Sequence, residues 1–352
     1  MEYIEEIPEK RDLRSLSEKE LVDTFAQIGE PAFRAKQIHE WLWKKSATEI
    51  NQMTNISLKT REWMAQNFNI NLAKEDTKQV SKDRTIKTAF RLHDNHLVEG
   101  VLIPTSDRMT ACVSSQVGCS LTCKFCATGY MDRKRNLEAS EIYDQVVLIR
   151  KQADEYYNLP LSNIVYMGMG EPLLNYANVL KSIELITSDK GLNMAARRIT
   201  VSTAGIAKMI KKLGDDQVRF NLALSLHAAN DVKRNQIMPI NETNTLDALE
   251  EALNYFHEKT GNDITFEYIV FKNFNDSIED ARELADFAKK VPAKINIIQY
   301  NPIAEAEYRN TDPVSMDQFQ HYLESRGLNV NVRKSRGKDI DAACGQLANK
   351  TK

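Results

Sequence analysis

The sequence contains no apolar run long enough to cross a bilayer. Its first residues, MEYIEEIPEKRDLR, are charged where a secretory leader would need an apolar stretch. The chain also has no low-complexity segment and no short-period repeat. We therefore expect a cytoplasmic protein with no membrane partner.

Cysteine is scarce as well, with five among 352 residues. An odd number of thiols in a chain of this size does not fit the even disulfide frameworks of small secreted proteins. In a reducing compartment, thiols are more often ligands or catalysts than cross-links. The placement of these few cysteines therefore calls for a chemical explanation.

The rest of the composition is that of an ordinary globular protein. Apolar residues make up 42% and charged residues 27% of a chain that is long enough for one large domain with a smaller attachment. The net charge of −2 neither favours nor excludes nucleic acid as a partner, because binding needs only a local basic face.

The N-terminal residues 1–75 have the apolar spacing of helices. The stretch SLSEKELVDTFAQIGE begins with Ser17 and Glu20 at capping-box spacing, and Gly29 and Pro31 end it. The stretches AFRAKQIHEWLWKK and SLKTREWMAQNF predict two further helices. A small helical domain with a polar, partly basic surface is expected here.

From about residue 85 the pattern changes to strands, and then strands alternate with helices. The strand candidates are TIKTAFRLHDNHLVEGVLIP, RMTACVSS, NIVYMGMG, RRITVSTAG, RFNLALSLH, DITFEYIVF, KINIIQYNP and NVNVRKS. The helix candidates are SEIYDQVVLIRKQADEYY, YANVLKSIELITS, NTLDALEEALNYFHEKT, SIEDARELADFAKKV and SMDQFQHYLESRG. This order predicts parallel strands with helical crossovers, in either an open doubly wound sheet or a full or partial TIM-like barrel.

Four of the predicted strands end in polar or glycine-rich tips, GMGEP, STAG, SLH and YNP. In both candidate folds the carboxyl ends of parallel strands meet at one face, and ligands bind at that face. The sequence therefore predicts a functional site built from these tips.

Three of the five cysteines are crowded into QVGCSLTCKFCATG, where Cys119, Cys123 and Cys126 have C-x3-C-x2-C spacing. A structural zinc site normally uses two paired knuckles or a mixture of Cys and His, and no histidine is near in sequence. The expected compartment disfavours a disulfide cluster, and the local density disfavours chance burial. Thiolates are the ligands of iron–sulfur clusters, and three of them leave one iron of a 4Fe–4S cluster open to another ligand.

Six motifs occur in a fixed order: CVSSQVGCSLTCKFCATG, GMGEPLLN, VSTAG, LALSLHAAND, YNP and DIDAACGQL. Together they resemble the RlmN/Cfr family of radical S-adenosylmethionine (SAM) RNA methyltransferases over nearly the whole chain. The resemblance implies an α/β fold, a partial (β/α)6 TIM-like radical SAM barrel with an N-terminal helical accessory domain. The predicted parts are an RNA-binding accessory domain at 1–75, a linker or β extension at 76–104, the barrel at 105–335 and a C-terminal segment at 336–352.

The same resemblance implies the cofactors and their ligands. Cys119, Cys123 and Cys126 would hold a 4Fe–4S cluster, and two SAM molecules would be used in each turnover. The implied SAM contacts are Gly170, Glu171, Ser202, Ser225, Leu226, His227 and Asn301, with the ring of Phe125 beside the cluster. A flavodoxin-like electron donor and a monomeric state are expected from the family too.

The two remaining cysteines match reactive positions of the family. C2 of adenine is electrophilic, so ordinary attack on SAM cannot methylate it. In the family mechanism one SAM methylates the residue matching Cys344, and a second yields a 5′-deoxyadenosyl radical that takes hydrogen from the S-methyl group. The sulfur-bound carbon then joins adenine, the residue matching Glu99 removes the ring proton, and the one matching Cys112 attacks the thioether to release the product. A disulfide bond is also expected from the resemblance.

The resemblance implies two substrates. One is 23S ribosomal RNA, at an adenine of the peptidyl transferase centre, and the other is tRNA, at the adenosine beside the anticodon (adenosine 37 type). One alternative is a C8 methyltransferase of the same family, which would give antibiotic resistance. Pro172 after Glu171 favours the C2 branch, because the C8 branch typically has Ala there. A remoter alternative is a non-enzymatic RNA-binding protein with structural zinc.

Basic residues flank both reactive segments. They are Arg133, Lys134 and Arg135 after the cysteine triplet, Arg333, Lys334, Arg336 and Lys338 before Cys344, and Arg197 and Arg198 at the start of a predicted strand. RNA binding needs cations for phosphates, and the target adenine should be unstacked or in a folded loop.

Overall fold

The computed structural model describes residues 10–349. The predicted accessory domain and C-terminal segment therefore extend at their outer ends, 1–9 and 350–352, beyond the described residues, as does most of the charged N-terminal stretch. None of the described helices is both long enough and apolar enough to traverse a membrane.

Three helices form the N-terminal part, and two short strands close it. The elements are β1 (Arg11–Asp12), α1 (Glu18–Ala26), α2 (Phe33–Trp43), α3 (Leu58–Asn67) and β2 (Phe68–Asn69). The predicted capping box at the start of α1 is present, since the side chains of Ser17 and Glu20 each bond the other's backbone N–H. The ring of Phe25 meets Trp63 edge-on at 5.5 Å, and this contact packs α1 on α3.

Three antiparallel strands follow, namely β3 (Lys74–Val80), β4 (Ile86–Arg91) and β5 (Leu97–Pro104). Strands β4 and β5 form an antiparallel pair within the stretch that was predicted to be strand. Strand β3 was not predicted, because nearly all of its side chains are exposed and it shows no apolar alternation.

The barrel part alternates strands and helices as predicted. Its elements are β6 (Met109–Cys112), β7 (Gln116–Val117), β8 (Arg135–Asn136), α4 (Ala139–Tyr157), β9 (Asn163–Tyr166), α5 (Tyr176–Thr187), β10 (Ile199–Thr203), α6 (Ala207–Asp215), β11 (Asn221–Ser225), α7 (Asp231–Ile237), α8 (Leu246–Thr260), β12 (Ile264–Val270), α9 (Ile278–Ala288), β13 (Ala293–Gln299), α10 (Pro313–Ser325) and β14 (Val330–Arg333). Helices α6 and α7 lie outside the predicted set.

The main sheet runs in the order β14-β13-β12-β11-β10-β9-β6-β5-β4-β3. Strands β6 and β9 to β14 are parallel, and each new strand is added at the same edge. A doubly wound sheet would reverse direction at a switch point, and this one does not. The sheet does not close, so the predicted partial (β/α)6 barrel is confirmed, with β14 following the sixth unit.

Two local predictions were wrong. Arg197 and Arg198 belong to a 3-10 turn, and β10 begins only at Ile199. The helical spacing of SIEDARELADFAKKV predicts Ile278 on the apolar face of α9, but Ile278 is 48% exposed because it occupies the first position after the Ser277 cap. The domain borders at 75, 104 and 335 stay predictions.

Candidate active site

Three of the four predicted strand tips, GMGEP, STAG and SLH, converge on one cavity at the carboxyl ends of the parallel strands. Among the predicted site residues, those that line this cavity are Cys112, Cys119, Cys123, Phe125, Cys126, Gly170, Glu171, Ser202, Ser225, His227 and Cys344. Glu99, Leu226 and Asn301 are buried behind it. Parts of the chain that are far apart in sequence therefore line one cavity: the cysteine loop, the strand tips and the C-terminal segment.

The cysteine loop, residues 119–126, follows β7 and presents three free thiols to the cavity. Burial raises the pKa of Cys119 to about 11, and it also raises the pKa values of Cys123 and Cys126. Backbone N–H groups partly oppose this rise: that of Leu121 donates to Cys119 Sγ at 3.4 Å, and those of Thr128 and Gly129 donate to Cys126. The loop therefore holds thiols that a metal would convert to thiolates.

The donor set fits an iron–sulfur cluster better than a single ion. Within residues 10–349, no three His, Cys, Asp or Glu side chains converge at the spacing of one metal ion. A zinc site places four ligands on one ion, whereas a cluster takes its thiolates on different irons. Hydrogen bonds to the ligand sulfur atoms tune the reduction potential of such clusters. Cys119 and Cys126 accept bonds of this kind.

Gly170 is required by the turn after β9. Its φ is +93°, and an added Cβ would lie 2.4 Å from Cβ of Gln116. Gln116 Oε1 accepts from the backbone N–H of Glu171 at 2.8 Å, which fixes the next residue. The tight turn thus sets the position of a carboxylate that lines the cavity.

The buried carboxylate of Glu171 joins two strand tips. It accepts hydrogen bonds from the backbone N–H groups of Leu173 at 3.0 Å and Ala204 at 2.7 Å. Burial raises its pKa in spite of these bonds. A carboxylate in this position can receive an ammonium group, since an opposite charge would offset the cost of burial.

The tips of β10 and β11 supply hydroxyl and imidazole groups. Ser202 Oγ and Ser225 Oγ lie 3.4 Å apart. His227 Nδ1 accepts from the backbone N–H of Ile269 at 3.0 Å, so the neutral ring carries its proton on Nε2. Burial and Arg234 lower the pKa of His227 to about 3, and its ring meets Phe125 edge-on at 4.6 Å. His227 is therefore a neutral donor beside the cysteine loop.

Cys112 and Cys344, which are far apart in sequence, face the same cavity. Cys112 ends β6 and is 8% exposed, and burial raises its pKa to about 12. Cys344 is exposed toward the cavity, where desolvation by the surrounding protein raises its pKa. The guanidinium of Arg333 opposes the rise at both thiols. All five cysteines are free, so the structure does not contain the predicted disulfide bond.

Hydrogen bonds hold the C-terminal segment over the cysteine loop. Ala127 N donates to Gly345 O at 2.7 Å, and Thr128 Oγ1 donates to Leu347 O at 2.6 Å. Asn301 Nδ2 donates to Cys344 O at 3.2 Å, while its buried Oδ1 has no protein partner. Asn301 therefore positions Cys344 and keeps one acceptor free.

Glu99 lies behind the C-terminal segment and is 3% exposed. Its carboxylate accepts from the backbone N–H groups of Ala348 at 2.9 Å and Asn349 at 3.2 Å, and Lys87 Nζ lies 3.4 Å away. In this arrangement Glu99 anchors the segment that carries Cys344. Its predicted role as a base stays a prediction, and it would require the segment to leave the carboxylate.

Sequence reasoning missed a polar pair inside the barrel. Glu267 on β12 lines the cavity and accepts from Arg333 NH1 at 3.1 Å and from Asn296 Nδ2 at 2.8 Å. Arg333 was predicted only as an RNA contact, yet it faces both reactive cysteines. The only signal in the sequence is the inward position of Glu267 on a strand, which a lone strand pattern cannot distinguish from an outward one.

The other predicted RNA-binding cations fall into four groups. Lys334 and Arg336 line the cavity, and Arg133 and Lys134 are exposed. Arg135, in contrast, forms ion pairs with Glu141 and Asp94, and the Lys338 ammonium bonds Gln299. Arg197 and Arg198 precede β10, so they lie at the opposite end of the barrel from the cavity.

Two sequence models of known families match the chain. The radical SAM superfamily matches residues 113–288, and the ribosomal RNA large subunit methyltransferase N-terminal domain matches residues 11–70. The first range contains the cysteine loop and the tips of β9 to β11, and the second contains α1 to α3.

Relatives cover nearly the full length of the chain. A probable dual-specificity RNA methyltransferase RlmN of Cytophaga hutchinsonii is 65% identical, over 96% of this chain and 93% of its own length. One of Flavobacterium psychrophilum is 54% identical, over 97% of this chain and 99% of its own. The crystal structure of a radical SAM methyltransferase from Sphaerobacter thermophilus superposes with a TM-score of 0.90 at 38% identity, over 96% of this chain and 99% of that one.

Proposed function

Because the chain belongs to the RlmN family of radical SAM RNA methyltransferases, we propose that it places a methyl group on C2 of adenine in 23S ribosomal RNA and in tRNA. The observation that carries this proposal is the shared cavity of Cys112, Cys344 and the three-cysteine loop. A non-enzymatic zinc protein would have no need to aim two further thiols at its metal site.

The cysteine loop and the strand tips would hold the cofactors. Cys119, Cys123 and Cys126 would bind the cluster, and Glu171 would receive the amino group of SAM, with Ser202, Ser225, His227 and Asn301 as further contacts. When bound, the cluster and SAM supply the methyl group and the radical chemistry that an electrophilic carbon requires. The buried tips exclude bulk water around that chemistry.

Cys344 is the residue that we assign to carry the new carbon, and Cys112 is the one that releases it. The Cys344 thiol faces the cavity on a segment held by Ala127, Thr128 and Asn301. Cys112 lies on the β6 side of the same cavity. Arg333 favours the thiolate of both cysteines, and attack on the sulfur that bears the carbon needs a thiolate.

RNA would enter over the basic mouth of the cavity. Lys334 and Arg336 line it, and Arg133 and Lys134 are exposed just after the cysteine loop. Cations at this place can hold phosphates on either side of an adenine that is turned into the cavity. A cytoplasmic location, a monomeric state and a flavodoxin-like electron donor are predictions that accompany this function.

Product analysis tests the proposal. The protein is purified and reconstituted without oxygen, incubated with SAM, a reductant and either a 23S ribosomal RNA fragment or tRNA, and the RNA is digested for mass spectrometry. We expect 2-methyladenosine from both RNAs. Finding 8-methyladenosine would assign the protein to the C8 branch of the family. Finding neither methyladenosine, in a protein that binds zinc, would contradict the proposal.

Replacement of any one of Cys119, Cys123 or Cys126 with alanine should remove the iron and the visible absorption of the reconstituted protein. A cluster held by three protein thiolates cannot be kept by two. Iron content and absorbance spectra measure the effect. Cys112→Ala is the matched control, because this cysteine shares the cavity and lies outside the donor set. Equal iron loading in all the loop variants would show that the loop does not bind the cluster.

Gly170→Ala should weaken SAM binding by about tenfold or more. The left-handed φ and the overlap with Gln116 cost on the order of 1–3 kcal/mol, and they displace the carboxylate that follows. Gly261→Ala is the control, since Gly261 also has a left-handed φ, of +66°, but nothing lies within 4 Å of its added Cβ. Equilibrium dialysis with SAM should separate the two variants; equal affinities would contradict the assignment of this turn.

A further inference from the structure

Arg234 on α7 is completely buried, at 0% exposure. Its guanidinium donates to four neutral oxygens: Leu226 O at 3.1 Å, Ser225 O at 3.2 Å, Ala204 O at 2.7 Å and Asn241 Oδ1 at 2.5 Å. These bonds tie the tips of β10 and β11 together. They use four of the five N–H donors of the guanidinium, but they do not neutralise its charge.

Other buried cations of this protein are paired directly with a carboxylate. Arg14 meets Asp144 at 2.6 Å, and Lys87 meets Glu99 at 3.4 Å. Arg234 has no such ion pair within residues 10–349, and it reaches Asp231 only through Asn241, whose Nδ2 donates to Asp231 Oδ1 at 2.7 Å. A buried charge without a close counter-charge costs several kcal/mol.

Arg234 is charged at neutral pH in spite of this cost, because burial lowers its pKa only to about 10. The packing around Arg234 indicates where the missing anion belongs. Two of its carbonyl acceptors belong to Ala204 and Ser225, which line the same cavity as Cys123. Helix α7, which carries Arg234, also contacts the cysteine loop directly. The backbone N–H of Lys124 in the loop donates to Ile237 O, at the end of α7, at 2.9 Å.

We propose that Arg234 is the buried counter-cation of the iron–sulfur cluster and that it raises the reduction potential of the cluster. This inference rests on the proposed cluster site and deepens it. Reduction adds negative charge to the cluster, and a nearby cation in a low-dielectric interior stabilises the reduced form more than the oxidised one. Asp231 acts in the opposite direction, because its carboxylate is joined to Arg234 through Asn241.

Two charge variants of the full-length, reconstituted protein test the proposal. Arg234→Gln removes the cation and keeps amide donors for the carbonyl groups, and Asp231→Asn removes the neighbouring anion and keeps its acceptor oxygen. We expect the cluster potential, measured by redox titration with electron paramagnetic resonance, to become more negative in Arg234→Gln and more positive in Asp231→Asn. The exposed Arg282→Gln, which removes an equal charge from the surface of α9, should leave the potential unchanged.

A purely structural role for Arg234 does not produce shifts of opposite sign. Equal potentials in the two variants and the unmodified protein, or shifts in one direction, would overturn the inference while leaving the proposed function intact. If the Arg234→Gln variant does not hold iron, the test rests on the cluster potential of the Asp231→Asn variant. An unchanged potential in that variant overturns the inference. An unmodified protein that holds no iron–sulfur cluster overturns the proposed function and the inference together.

Discussion

Cys344→Ala is expected to abolish methylation of RNA, with a fall in rate of at least about a thousandfold, as is typical when a covalent catalyst is removed. No other thiol in residues 10–349 is exposed to the cavity from the C-terminal segment. Iron content should stay at the level of the unmodified protein, because Cys344 is outside the cysteine loop. The measurements are methyladenosine yield by mass spectrometry and iron per chain.

The result is informative only if the segment keeps its place. The bonds from Asn301, Ala127 and Thr128 go to backbone carbonyl groups, so truncation of the Cys344 side chain removes none of them. Cys344→Ser serves as a second variant that keeps the size of the side chain and also lacks the sulfur. Methylation at the normal rate in either variant would show that Cys344 does not carry the carbon.

Cys112→Ala is expected to accumulate a covalent complex between protein and RNA. With Cys344 intact, the carbon is still delivered to adenine, but the second thiol that breaks the thioether is missing. Cys112 is the remaining non-ligand thiol of the cavity, and Arg333 favours its thiolate. A slow-migrating band on a denaturing gel, which ribonuclease collapses to the protein position, measures the complex.

The double variant Cys112→Ala, Cys344→Ala is the control for this experiment. It should show no complex, because no residue remains to bond the adenine. The assignment of Cys112 as the releasing thiol would be overturned by a single variant that releases methylated RNA at the normal rate. A complex that persists in the double variant would instead place the bond on another residue.

The sequence predicts those parts of the molecule whose pattern is local. The alternation of apolar strands with helices predicts a parallel sheet with helical crossovers, and the triplet of cysteines predicts the cysteine loop. Strand β3 was not predicted because six of its seven residues are exposed. Helix α7 escapes because it is short, at seven residues, and carries its key side chain, Arg234, inward among polar neighbours.

The parts of the site that depend on long-range packing could not be predicted. Glu99 resembles an ordinary strand residue, and only the folded chain shows that Ala348 and Asn349 bond its carboxylate across about 250 residues of sequence. The pair of Glu267 and Arg333 is formed by strands 66 residues apart. Register and barrel curvature decide such contacts, and neither is encoded in the spacing of nearby residues.

Transfer of a labelled methyl group tests the central claim most directly. The reconstituted protein is charged with deuterated SAM without RNA, cleared of free SAM, and then given unlabelled SAM, reductant and the 23S ribosomal RNA fragment. Peptide and nucleoside mass spectrometry follow the label. The account predicts deuterium on Cys344 before RNA is added and deuterium in 2-methyladenosine after the first turnover. Label that is absent from Cys344, or RNA that is methylated only from the unlabelled SAM, would contradict the claim that this cysteine carries the carbon.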